Sequence, residues 1–247
     1  MKKNILIAFV LITIILNACK KQTEEYITAS IEDYAPLKIG KFITYKLDTF
    51  KYQRFSLKDT TITYQAKHVV DAMITDNLGR PAYRIIRYIR KTSQNAWVAD
   101  NTFLMINTGN SLEFIENNLR FLKLKLPITE GYSWKGNSYI DTYSLNSSVR
   151  YLDDWDYMYS DLHTPLNLGT IKLDSTIKVN QRDEIIGNPS DAKTYSEKNV
   201  GYEIYAKGIG LVYRKFLHTE YQPATPGTSS AFSDGSYGVT LTIIDHN

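Results

Sequence analysis

The segment 61–72 alternates almost without interruption. Ile62, Tyr64, Ala66, His68, Val70 and Ala72 fall on one side; Thr61, Thr63, Gln65, Lys67 and Asp71 fall on the other. A period of two marks a strand with one buried face, because successive side chains on a strand point to opposite faces. The pattern recurs at 42–50, where Ile43, Tyr45 and Leu47 oppose Thr44, Lys46 and Asp48. It recurs again at 121–126, where Leu122, Leu124 and Leu126 oppose Lys123 and Lys125 until Pro127 stops the strand. Helical periodicity is scarce by comparison.

Turn signals separate these runs. Asn77-Leu78-Gly79-Arg80-Pro81 predicts a turn that returns 82–90 as an antiparallel partner of the first strand. Trp97–Ile106 reads as the next strand, closed by Asn107-Thr108-Gly109-Asn110. Further strands are expected at 131–143, 147–152, 170–180, 200–206, 209–219 and 237–244. Gly208-Ile209-Gly210 marks a tight bend between two of them. Residues 222–236, rich in Pro, Ser, Thr and Gly, form a loop between the closing strands. Only Asn188–Lys198 is expected to hold a short helix, with Pro189 in its first turn. The fold class is therefore mainly β, an antiparallel meander in an open curled sheet or partial barrel, with at most one or two short helices. Nineteen tyrosines in 247 residues suit this class, since aromatic rings pack well on a pleated surface.

The first residues follow other rules. Lys2 and Lys3 precede the apolar run Ile5–Leu16, which ends in Leu16-Asn17-Ala18-Cys19. As a helix that run spans about 18 Å, too short for a hydrocarbon core of about 30 Å. It reads as a signal peptide over 1–18 rather than a membrane span. Cys19 is the only cysteine. The segment resembles a bacterial lipoprotein signal peptide. The resemblance implies cleavage before Cys19, a diacylglycerol on its sulfur and a fatty acyl group, such as palmitate, on its amine. Lys20 at the next position implies sorting to the outer membrane, with the periplasmic or outer face left open. Lys20-Lys21-Gln22-Thr23-Glu24-Glu25 opens a polar tether, assigned to 19–33, ahead of a single β-rich domain over 34–247.

The segments Tyr34-Ala35-Pro36-Leu37-Lys38-Ile39-Gly40-Lys41-Phe42-Ile43-Thr44-Tyr45 and Tyr205-Ala206-Lys207-Gly208-Ile209-Gly210-Leu211-Val212-Tyr213 resemble stretches of uncharacterised β-rich lipoproteins of the Bacteroidota. That family has no assigned chemistry, so no functional residue follows from it.

Charge argues against nucleic acid. The formal net charge is +3, and Lys2 and Lys3 leave with the signal peptide. Arg80, Arg84, Arg87, Arg90 and Lys91 alternate with apolar residues and read as the charged side of a strand. Catalytic signals are weak as well. No Gly-x-Ser-x-Gly surrounds any serine. Glu184 with Asp183 or Glu203 makes a glycosidase pair only if the fold brings them together. His68 alternates with apolar residues and reads as a sheet-facing side chain. Asp153-Asp154-Trp155-Asp156 is the densest acidic run, and Asp154 with Asp156 is a weak calcium candidate without an EF-hand loop. Asp161 and His163 are too few ligands for zinc. No metal, cofactor or catalytic residue is assigned.

The remaining candidate is aromatic. Tyr132, Trp134, Tyr139, Tyr143, Trp155 and Tyr157 converge if 132–159 folds as a hairpin. Such a group suits stacking on a sugar or closing round an acyl chain. The sequence thus points to a non-enzymatic envelope lipoprotein that binds a glycan, a lipid or a protein. A structural subunit of an outer-membrane complex and an envelope hydrolase are the alternatives.

Overall fold

The computed structural model describes residues 29–52, 59–169 and 171–247. Residues 1–28, with the expected signal peptide and Cys19, lie outside them. Among the described residues a four-residue helix, α1 (Ile31–Tyr34), comes first and is closed by a capping box. Ser30 Oγ accepts from the Asp33 amide at 3.3 Å, and the Ser30 amide donates to Asp33 Oδ2 at 2.9 Å. Ile31, in the stretch read as tether, is buried together with Tyr34.

Thirteen strands follow: β1 (Phe42–Tyr52), β2 (Asp59–Thr75), β3 (Pro81–Arg90), β4 (Val98–Asn107), β5 (Ser111–Glu116), β6 (Leu119–Lys125), β7 (Ser133–Lys135), β8 (Asp156–Leu168), β9 (Ile171–Gly187), β10 (Ser196–Ala206), β11 (Gly210–Gln222), β12 (Ala231–Phe232) and β13 (Tyr237–His246). The expected helix at 188–198 is not there. Asn188 and Asp191 instead fold 188–195 into turns through their own side chains, and Ser196 already starts β10. The strand expected over 131–143 shrinks to β7, and 147–152 holds a 3-10 turn at Arg150–Leu152. Asp156–Leu168, read largely as a connection, is a long strand.

All pairings are antiparallel. The order is β6-β5-β4-β3-β2-β1-β13-β11-β10-β9-β8-β7, with short β12 beside β11. The sheet is a meander that curls until it is nearly a closed barrel. The first and last strands pair in the middle of the order: Tyr45 faces Ile243, Leu47 faces Leu241 and Lys51 faces Tyr237. The two free edges, β6 and β7, are consecutive in the chain. Between them no ladder forms, but the Leu122 amide donates to Gly136 O at 2.8 Å and Trp134 Nε1 donates to Leu122 O at 2.8 Å. The Tyr159 hydroxyl accepts from the Lys125 amide and donates to Lys125 O, both at 2.9 Å. Gly136 permits this approach, since a Cβ there would lie 2.5 Å from the Tyr157 ring.

Up-and-down strands give the barrel two distinct ends. One end carries α1, the start of β1 and the turns 76–80, 108–110 and 207–209; the Gly208 amide donates to Asp33 O at 2.7 Å and fastens α1 there. The other end carries the β5–β6 turn and the longer connections 136–155, 188–195 and 223–236. Asn117 and Asn118 (φ 51° and 64°) make that β5–β6 turn, as a two-residue hairpin of positive φ requires. Inward-facing side chains form the main core, including Ile31, Phe103, Leu112, Leu124, Trp155, Tyr159 and Ile177. Each fully buried aliphatic or aromatic side chain stabilises by roughly 1.5–3 kcal/mol.

Candidate ligand cavity

The core does not fill the barrel. A cavity of about 480 Å³ runs through the lumen, within the usual range for small-molecule sites. Strands β1 to β6, β8 to β11 and β13 all contribute to its wall. Period two explains the selection: Ile43, Tyr45, Leu47, Thr49 and Lys51 point inward from β1, and Phe121 and Lys123 from β6. Tyr34, Ala35 and Leu37 close the helix end, while Lys51, Asn117 and Tyr237 reach the loop end.

Lys123 is the least expected side chain on this wall, a lysine on the inward face it shares with Phe121. A register shift between Leu112 and Glu113 of β5 leaves Lys123 as the extra residue opposite it. Its side chain is buried, and Nζ lies 2.8 Å from Glu203 Oε1. Glu203 Oε2 accepts from the Tyr205 hydroxyl at 2.7 Å. Arg214 lies 3.6 Å from Glu203 and 3.2 Å from Glu116. The four charges therefore alternate in sign across the lumen. β5 and β11 are separated by five strands on either side of the ring, so the Glu116–Arg214 pair ties opposite walls together. Burial alone would raise the Glu203 pKa, but Lys123 and Arg214 outweigh it and hold the carboxyl below its ordinary range. Burial pulls the Lys123 amine down.

His68 faces the same lumen, edge-on to Tyr45 and Phe103. Burial, then Arg87 and Arg214, push its pKa down to about 3, so the ring is neutral at ordinary pH. Three buried polar atoms on the wall have no partner: Tyr34 Oη, His68 Nε2 and Gln181 Nε2.

The six aromatic residues singled out in the sequence divide three ways. Trp155 and Tyr157 line the cavity. Trp134 and Tyr132 stack on each other beside the β6/β7 edge, and Trp134 faces Tyr157 in the β7·β8 pairing. Tyr139 and Tyr143 stand exposed on the loop-end connection, at 60% and 77%. The hairpin of β7 and β8 is real, but it is too short to gather all six.

The acidic candidates also separate. Lys135 Nζ sits between Asp154 (3.2 Å) and Asp156 (3.0 Å), so an ammonium occupies the place between those two carboxylates. Among the described residues, no three His, Cys, Asp or Glu side chains gather as a metal site. Glu203 is in the lumen, Asp183 is exposed, and Glu184 lines a broad cleft at the loop end beside Arg182, His218, Tyr195 and Tyr237. The three do not meet in one site. His218 in that cleft contacts Asn199 Oδ1 at 2.8 Å and stacks on Tyr151 at 3.8 Å. Burial lowers its pKa despite Glu197 nearby. The residues that sequence reasoning missed are Lys123, Arg214, Gln181 and Tyr34, and Glu203 was weighed only as a partner of Glu184. Their strands carried no charge pattern that distinguishes a lumen from solvent.

No protein-family model, curated protein or solved structure matches the chain. The cavity and its chemistry therefore carry the functional reading.

Proposed function

We propose that the barrel is the ligand-binding module of an envelope lipoprotein, anchored to the outer membrane through acylated Cys19. The lumen cavity carries this reading. It is of ligand size, it is lined mostly by aromatic and aliphatic side chains, and its wall draws on nearly every strand. The N-terminal signal supports the address. The stretch from Cys19 to Ala29 reaches at most about 35 Å. Because α1 closes one end of the barrel, the tether would hold that end toward the bilayer and leave the loop end facing away. No catalytic step is part of this reading.

The test uses the mature domain and Nile red, an uncharged dye that brightens in apolar surroundings. Saturable binding with one site is expected, and Val239→Phe, which adds bulk on the wall, should weaken it. A dye signal that neither saturates nor responds to wall substitutions would defeat the proposal. Cys19→Ser should abolish incorporation of labelled palmitate and release the protein from the membrane fraction.

A second reading has one specific support. Tyr139, Tyr143 and Leu145 lie on the same loop-end connection and are 60%, 77% and 88% exposed. Large apolar side chains so placed suit contact with another envelope protein. Replacing all three with serine should abolish any such assembly without affecting the dye.

A further inference from the structure

We infer that the lumen accepts an uncharged, largely apolar molecule bearing a hydroxyl or carbonyl oxygen, which one of the unpartnered donors of Tyr34 and Gln181 holds by a hydrogen bond. This rests on the reading of the barrel as a ligand-binding module and adds the class of ligand.

Charge is the first argument. Every strongly buried charge on the wall already has an opposite one. Lys123 pairs with Glu203, Arg214 with Glu116 and Glu203, and Arg87 with Asp100 outside the lumen. His68 is neutral. Lys41, at the helix end, donates to Gly208 O at 3.0 Å and Asn247 O at 3.3 Å. Lys51 stands exposed at the loop end. Away from Lys41 and Lys51 at its two ends, a carboxylate or ammonium in the body of the lumen would go without a counter-ion, or would take one from an existing pair. Either outcome strands a buried charge, which is strongly unfavourable.

The orphaned polar atoms are the second argument. Tyr34 is 0% exposed and Gln181 3%, and neither Tyr34 Oη nor Gln181 Nε2 has a partner. Each such atom destabilises the ligand-free protein until something bonds it. Gln181 is held at a register shift of β9 and packs beside Gly201, where a Cβ would lie 3.0 Å from Gln181 Oε1 and 2.7 Å from the Trp155 ring. Glycine at 201 thus keeps the amide in the lumen. Tyr34 comes from α1, at the helix end. A neutral oxygen satisfies such a donor without bringing a charge, and apolar atoms suit Val70, Ile85, Phe103, Leu112 and Phe114 on the same wall.

The experiment titrates the mature protein with retinol, methyl retinoate and retinoate, which share one apolar skeleton. Quenching of tryptophan fluorescence reports binding, since Trp155 lines the cavity. The alcohol and the ester should bind at least about tenfold more tightly than the carboxylate at neutral pH, a gap of about 1.4 kcal/mol. Tyr34→Phe or Gln181→Met should weaken retinol several-fold, and each should raise the melting temperature of the ligand-free protein. A purely structural role would shift melting and leave affinity alone. Retinoate binding as well as retinol, or affinity unchanged in both variants, would overturn the ligand class. Nile red binding with no retinoid binding would also overturn it. Failure of Nile red as well would instead remove the binding module itself.

Discussion

The barrel closes at two places, and the two closures are built from different bonds. Between β1 and β13 a backbone ladder joins the first strand to the last, from Ile43 opposite His246 to Lys51 opposite Tyr237. Between β6 and β7 there is no ladder. One backbone bond, the Trp134 indole and the Tyr159 hydroxyl bridge that gap, and the Lys123–Glu203 pair fastens β6 to β10 across it. A ladder needs only extended backbone at each position, so it tolerates many side chains. The second closure depends on particular side chains, so it should fail residue by residue. It is also the edge next to which Trp155 and Tyr157 line the cavity, so any local opening of the barrel should begin there.

Substitutions can break this contrast, beginning with the ion pair. Glu203→Leu leaves Lys123 and Arg214 buried without their shared carboxylate and should cost about 3–5 kcal/mol, read by urea denaturation. Adding Lys123→Met to it should recover most of the loss; if it does not, the pair is not what holds β6. The same glutamate predicts a pH leg. Its folded pKa is depressed, so its stabilisation is present above the unfolded value of about 4.3 and is lost as pH falls through the lower folded value. The denaturation midpoint of the wild type should fall across that acid window, and the Glu203→Leu variant should show a flatter fall.

Tyr159→Phe removes both bonds to Lys125 and should cost about 1–3 kcal/mol. Amide exchange should speed up over 119–126 while β13 stays protected. Equal acceleration on both strands would mean that the two closures open together. Trp134→Phe keeps an aromatic ring and loses the indole donor, so about 1 kcal/mol is expected, measured as a lowered melting temperature. At the ladder, Lys46→Thr changes an exposed side chain on β1 and should stay within about 0.5 kcal/mol. A larger effect there would end the distinction.

The helix expected at 188–198 failed because Asn188 and Asp191 use their side chains to fold turns, a local competition that periodicity does not register. The aromatic group between 132 and 157 was half legible. Trp155 and Tyr157 do reach the cavity, but Tyr139 and Tyr143 sit on a connection whose path no local rule sets. Lys123 was read on the solvent side, since alternation assigns a lysine between leucines to the opposite face. In the barrel Lys123 instead shares the lumen face with Leu119 and Phe121, where Glu203 from β10 pairs with it.

Local physics was enough for most of the strands and most of the turns between them, because side-chain period, proline, glycine and paired asparagines act within a few residues. The alternation at 61–72, the bend at 208–210 and the loop at 222–236 all follow from neighbours in the chain. The curl into a barrel, the pairing of β1 with β13 and the empty space inside were decided only in three dimensions. They depend on residues far apart in sequence, as Glu116 and Arg214 show, and on register shifts that turn a side chain inward or outward. A cavity is what the packed side chains leave unfilled, so no single stretch of sequence can announce it.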